Sequence, residues 1–96
     1  MIIVYSIGLN DKDTKEYNPK NRKLVLRLAD VYLKNYTVTD CNGVFTHNNG
    51  VTIKEKSLAI KTIADNINKE FIDSVKFICN QESVMVEEFE PIIKFL

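Results

Sequence analysis

GVFTHNNGVTIKEKSLAIKTI, residues 43–63, is the stretch on which the fold turns. Asn49-Gly50 stands between two runs of strand-forming residues. Such a pair favours a tight hairpin, because a type I′ turn needs two residues at positive φ and Asn and Gly adopt it most cheaply. Residues 36–47 are rich in Thr, Val, Tyr and Phe and read as the outgoing strand. Gly43, just after Cys41-Asn42, suggests a bulge or bend within it. The return strand runs from Val51 to about Ile63, and its apolar parity changes on the way. Val51 and Ile53 share one face, Leu58 and Ile60 the other. Either a bulge falls near Glu55–Ser57, or the hairpin arm projects beyond the core and buries its opposite face elsewhere. The second is preferred.

Outward from the hairpin, each side repeats one strand and one helix. Residues 2–8 are apolar on both faces, with Ile3, Tyr5 and Ile7 on one and Ile2 and Val4 on the other. Such a strand belongs in the middle of a sheet. NDKDTKEYNPK, residues 10–20, is a polar loop. Asn18 before Pro19 marks a helix start, since Asn caps and Pro is tolerated at the first helical position. That helix is expected to run to about Asn35 with an apolar face of Leu24, Val25, Leu28, Val31 and Tyr32. After the hairpin, Asp65 or Asn66 caps a second helix with a stripe of Ile67, Phe71, Val75 and Ile78. Asn80 ends it in the left-handed conformation. Ser83–Phe89 is the last strand, and Pro91 stops it.

The order strand, helix, strand, strand, helix, strand predicts an α+β, ferredoxin-like βαββαβ sandwich. Two helices cover one face of a four-stranded antiparallel sheet whose central strands are the first and third. Residues 1–90 form this single domain, with hairpin 43–56 projecting and 91–96 as an apolar tail that must dock on its own domain or a neighbour. The uncovered face is expected to carry Tyr5, Ala59, Met85 and Phe89. Together with Phe95 of the tail, that much apolar surface implies a homodimer or a tightly bound partner.

Composition narrows the function classes. A chain of 96 residues makes one domain, burying roughly 60–65% of the surface its unfolded form exposes. Thirteen basic and thirteen acidic residues cancel, which argues against a dedicated nucleic-acid binder. The charges are nevertheless unevenly spread. Lys12, Lys15, Lys20, Arg22, Lys23 and Arg27 make the first third basic, and Glu82, Glu87, Glu88 and Glu90 make the last strand acidic. One His with Cys41 and Cys79 cannot build a standard structural zinc site. No metal and no cofactor are expected, and both thiols read as reduced. There is no 18-residue apolar run, so no membrane span is expected. MIIVYSIGLN lacks a basic n-region and a cleavage pattern and reads as a strand, not a signal peptide. A cytoplasmic location in a bacterial cell follows. Lysine outnumbers arginine eleven to two, a codon bias that points to an AT-rich bacterium or a virus of one.

VYSIGLND, the hairpin and NQESVMVEE together resemble a small bacterial and phage family known mostly as a domain of unknown function. The residues that carry the resemblance are Gly8, Leu9, Gly43, Phe45, Gly50, Glu55, Gln81, Glu82, Ser83 and Val84. The resemblance implies a ferredoxin-like fold and a phage or mobile-element origin. It brings no activity and no catalytic residue.

No familiar catalytic constellation stands out. On a two-residue loop His47 would lie opposite Thr52, on the face of Phe45 and Lys54, with Glu55 on the other. It lacks the carboxylate partner and pocket that a general base needs. A surface strand position is preferred, or a contact with a partner from the hairpin tip. Phe45 either anchors an interface or packs beneath the loop or first helix. The partner-binding set is therefore Phe45, His47, Asn48, Asn49, Val51 and Ile53. Glu55, Glu87 and Glu88 could pair as carboxylates only on adjacent strands, which the expected strand order denies. The three glycines are isolated, so no phosphate loop forms. Tyr5 in VYSIGL resembles an RNA-stacking strand, but TIKEKSLAIKTI supplies no second aromatic.

The leading expectation is thus a non-enzymatic interaction protein, homodimeric and phage-encoded. It would act by binding a host macromolecule, such as a component of a defence system of the CRISPR type. The alternative is a small-molecule binder or dimeric α+β-barrel enzyme, with a cavity between helices and sheet. An RNA-binding module is the third possibility.

Overall fold

A computed structural model of the chain describes residues 1–46 and 48–96, position 45 by its backbone alone. Six elements follow in order: β1 (Ile2–Gly8), α1 (Pro19–Tyr32), β2 (Thr37–Thr46), β3 (Thr52–Ile63), α2 (Lys69–Ile78) and β4 (Met85–Phe89). The sheet runs β2-β3-β1-β4 with every neighbouring pair antiparallel. This is the α+β, ferredoxin-like arrangement.

Hydrophobic burial on one side of the sheet forms the core. Ile3, Tyr5, Ile7 and Leu9 from β1 and its end meet Leu58 and Ile60 of β3, Val25 and Ala29 of α1, and Phe71, Val75 and Cys79 of α2 and its cap. Tyr5 is therefore not on the uncovered face. It is wholly buried beneath the helices. Its ring meets Phe71 edge-on at 5.1 Å, and its hydroxyl accepts the Asn68 backbone N–H at 2.9 Å. Strand alternation placed Tyr5 with Ile3 and Ile7, but with both faces apolar the hydropathy pattern could not choose which face the helices cover.

Each helix is bounded by asparagines with tertiary duties. Asn18 caps α1, accepting from the Lys20 backbone N–H at 3.0 Å. The helix ends at Tyr32, short of Asn35, because Asn35 serves β3 instead. Its side chain donates to Ile63 O at 3.2 Å and accepts from Ile63 N–H at 3.1 Å. The buried face is Asn21, Val25 and Ala29 at a four-residue spacing, and Val31 is largely exposed. Asn68, rather than Asp65 or Asn66, caps α2. Its Oδ1 accepts from Phe71 N–H at 2.9 Å and its Nδ2 donates to Tyr32 O at 3.0 Å. The cap thus joins the start of α2 to the end of α1. Ile78, expected in the stripe of α2, is half exposed, and Cys79 takes its place. Asn80 follows in the left-handed region, φ 50°.

The β2–β3 pairing keeps one register from Thr37↔Lys61 to Thr46↔Thr52. There is no bulge at Gly43 or at 55–57. β1 stops at Gly8↔Ser57, so beyond Ser57 the arm is a two-stranded ribbon, and the apolar parity changes where the third strand ends. The last pair is Thr46↔Thr52, so the connection is longer than a two-residue turn. Gly50 takes φ +83°, while Asn49 stays at negative φ and accepts the Val51 N–H at 3.0 Å. The tail beyond Pro91 forms no strand, and Ile92, Phe95 and Leu96 lie exposed.

Asn68→Ala removes the α2 cap and its link to α1, and should cost about 1–2 kcal/mol. The measurement is a lowered urea midpoint at unchanged denaturant slope.

Candidate functional site

On the uncovered face, β1 presents Ser6 and Gly8, β3 presents Ile53, Glu55 and Ser57, and β4 presents Met85. A cleft of about 680 Å³ opens where β1 ends and the arm of β3 runs on. Its floor is Ser6, Gly8 and Ser57, and Ile53 and Met85 form an apolar wall. The segment after α2 closes one side with Gln81, Glu82 and Ser83, and the loop after β1 closes another with Asn10, Asp11, Lys12 and Lys15.

Gly8 makes the centre of this cleft possible. A Cβ at position 8 would fall 1.7 Å from Glu55 Oε1 and 3.5 Å from Gln81 Oε1. The Glu55 carboxylate therefore lies directly over the β1 backbone, a close approach that only glycine permits. Gln81 is nearly buried, and both of its amide hydrogens are engaged. Nε2 donates to Asn10 O at 2.7 Å and to Cys79 O at 3.2 Å. Its Oε1 is left as an acceptor beside the carboxylate. Both oxygens lie close to the Gly8 backbone, and acceptors placed there suit a ligand that brings N–H groups or positive charge.

The loop from Asn10 to Asn18 is held by its own network of hydrogen bonds. Asn10 and Tyr17 form a β-bridge, Asp11 N–H bonds Glu16 O at 2.8 Å, and Lys15 N–H bonds Asp11 O at 2.8 Å. Asp11 Oδ1 accepts from Asp13 and Thr14 N–H. Asn80 Nδ2 donates to both Asp11 Oδ2 and Asp13 Oδ2 at 2.9 Å. The Asn80 amide, with the Thr14 and Asp13 N–H groups, holds the Asp11 carboxyl below its ordinary 3.8. Elsewhere, burial pushes the Cys79 thiol up to about 11, so it stays protonated and inert at neutral pH. Among the described residues, no three His, Cys, Asp or Glu side chains gather as a metal site.

The partner-binding set divides. Ile53 lines the cleft. Asn48, Asn49 and Val51 lie exposed around the hairpin tip. His47 and the Phe45 side chain lie outside the described residues. Of the face residues, Ala59 pairs with Ser6 on the uncovered side, Met85 lines the cleft, Phe89 pairs with Ile2 at its far end, and Phe95 sits in the exposed tail. Tyr5 is in the core. Gly8, Gly43, Glu55, Gln81, Glu82 and Ser83, all among the residues that carry the resemblance, line this one cleft; of them Glu55 is also weighed in the sequence as one of a carboxylate pair and set aside. Lys12, Lys15, Ser6 and Ser57 carried no signal as site residues.

No family model and no curated protein matches the chain. Solved structures do match. A phage SAM lyase in complex with S-methyl-5′-thioadenosine is 22% identical at TM-score 0.58, with 88% of this chain and 76% of that chain covered. A phage SAM lyase in the apo state is 23% identical at TM-score 0.54, with 88% and 75% covered. The likeness is one of fold. It corrects the expectation of a non-enzymatic binder and the leaning away from catalysis: the fold is one on which an enzyme is built, and the enzyme alternative fits better.

Gly8→Ala should leave the melting temperature within about 5 °C, since Gly itself weakens a strand and only a flexible carboxylate must move. The same substitution should displace Glu55, read from its side-chain carboxyl NMR shift. Acidification supplies a second check. A carboxyl with a lowered folded pKa contributes above its ordinary value and is lost as pH falls through the lowered one. Protection factors for amide exchange in loop 10–17, taken relative to the unprotected rate at each pH, should therefore hold above pH 3.8 and fall only below it.

Proposed function

We propose that the protein is a lyase that cleaves S-adenosylmethionine to S-methyl-5′-thioadenosine. The observation that carries this is the Glu55–Gln81 acceptor pair over Gly8, flanked by the apolar wall of Ile53 and Met85. It occurs on the fold of a phage SAM lyase that binds S-methyl-5′-thioadenosine.

The substrate carries an ammonium, a sulfonium and a carboxylate. S-methyl-5′-thioadenosine is what remains when its S–Cγ bond breaks and the electron pair stays on sulfur. With no water added, the four-carbon arm can close on itself: its carboxylate oxygen bonds Cγ as sulfur leaves, giving a lactone. The sulfonium and the carboxylate lose their charges together, and no proton moves. Such a reaction asks the protein for orientation and dryness, not for an acid–base pair. Glu55 and the Gln81 carbonyl are suited to hold the ammonium, and Ile53 and Met85 to lie beside the sulfonium. The same reading supports a phage origin, since an enzyme that consumes S-adenosylmethionine would deprive the host's methylation-dependent defences of their methyl donor.

The test is to incubate the purified protein with S-adenosylmethionine alone and separate the products. S-methyl-5′-thioadenosine and the four-carbon lactone, or its hydrolysis product, should appear without any added cofactor. Glu55→Gln should lower kcat/KM roughly ten- to hundredfold through loss of one charged hydrogen bond. Absence of S-methyl-5′-thioadenosine with the intact chain would sink the proposal.

A further inference from the structure

We propose that Lys12 and Lys15 form the pole of the cleft that reads the substrate carboxylate, and that the loop carrying them makes the enzyme selective for an intact amino-acid arm. This rests on the lyase reading above. The cleft has two charged walls. Glu55 from β3 and Glu82 from the segment after α2 make one pole, and Lys12 and Lys15 on the loop that closes another side make the second. Asp11 on that loop also lines the cleft, but its carboxylate is taken up by Asn80 Nδ2 and the Asp13 and Thr14 N–H groups. An amino-acid arm has the same polarity, an ammonium and a carboxylate on one carbon.

The two walls are tied together by side-chain and backbone hydrogen bonds from Asn80 and Gln81. Gln81, which presents its acceptor beside Glu55, also holds the start of the loop through Asn10 O at 2.7 Å. The neighbouring Asn80 holds the middle, through Asp11 and Asp13 and by accepting Lys12 N–H at 3.2 Å. Lys15 itself sits at φ 63°, a left-handed conformation that is uncommon for any residue but glycine. The loop maintains that conformation with Lys15 N–H bonded to Asp11 O. Asp11 and Asn80 are thus positioning residues that fix where the two ammonium groups can reach.

These lysines would bind the carboxylate before it reacts. Because the carboxylate loses its charge as the lactone closes, a cation beside it stabilises the bound substrate more than the transition state. Removing the cation should therefore weaken binding without slowing the bound reaction.

Lys12→Gln and Lys15→Asn test this, Asn being a residue that tolerates the left-handed conformation. KM for S-adenosylmethionine should rise about fivefold for each lysine, the size of an exposed ion pair, with kcat unchanged or higher. Affinity for S-methyl-5′-thioadenosine, which has no carboxylate, should be unchanged. Affinity for decarboxylated S-adenosylmethionine should likewise be the same in wild type and variants. An equal loss of affinity for all three compounds, a fall in kcat at constant KM, or no change at all would overturn the assignment. A wild-type chain that neither binds nor cleaves S-adenosylmethionine overturns the lyase reading itself, a different result from a failure of the lysines alone.

Discussion

Tyr5 makes two contacts that join the sheet to the helices. Its ring lies edge-on against Phe71 of α2, and its hydroxyl accepts the N–H of the residue that caps α2. Burying a tyrosine demands a partner for its hydroxyl, and Asn68 provides one while also bonding the end of α1. One strand and both helices are thereby joined at a single point. Strand geometry does the rest. With Tyr5 beneath the helices, Ser6 and Gly8 must face the other side. The candidate site depends on that parity, because Gly8 has to lie where Glu55 can cross it.

The cleft arises from a mismatch in strand length. β3 has 12 residues, β1 has 7 and β4 has 5. Where β1 ends at Gly8, the sheet steps from three strands to the bare β2–β3 arm. A step in a sheet exposes backbone and side chains that no neighbouring strand covers. Two polar segments close around it, the 10–17 loop and the turn at 80–83. They are cross-linked through Asn80 and Gln81. The site is thus placed at the end of a rigid sheet but walled by connections, a common division between scaffold and chemistry.

Much of the fold was legible because its signals are local. Asn18-Pro19 marks a helix start by chemistry that needs no tertiary context, and Asn80 behaves as a left-handed terminator. The failures are tertiary. Asn68 wins the cap over Asp65 and Asn66 because Tyr5 and Tyr32 wait for it, which no local pattern records. Asn35 leaves the helix because it completes the end of β3. The two-sided apolarity of β1 conceals which face is covered, so the sequence pattern alone puts Tyr5 on the open side while the structure buries it. The cleft was hidden for a similar reason. Asn10, Glu55 and Gln81 are far apart in sequence, and the orientation of the Gln81 amide depends on carbonyls from two other segments. The resemblance did collect several of these residues, yet offered no reason for them. That reason is the close approach at Gly8.

The sequence lacks the usual marks of proton transfer: a histidine with a partner, a carboxylate pair on adjacent strands, an activated thiol. The proposed lyase reaction needs none of them. When a sulfonium and a carboxylate annihilate their charges, the transition state is less polar than the bound substrate. A carboxylate set against the sulfonium would favour the substrate and slow the reaction. One set against the ammonium, whose charge does not change, holds the arm without that cost. The two groups therefore belong in different surroundings, the ammonium at the Glu55–Gln81 acceptors and the sulfonium against Ile53 and Met85, where water is displaced and the remaining attraction between sulfonium and carboxylate is strongest. A cleft that is polar on one wall and apolar on another meets both demands with ordinary side chains, and so leaves little in the sequence that resembles an active site.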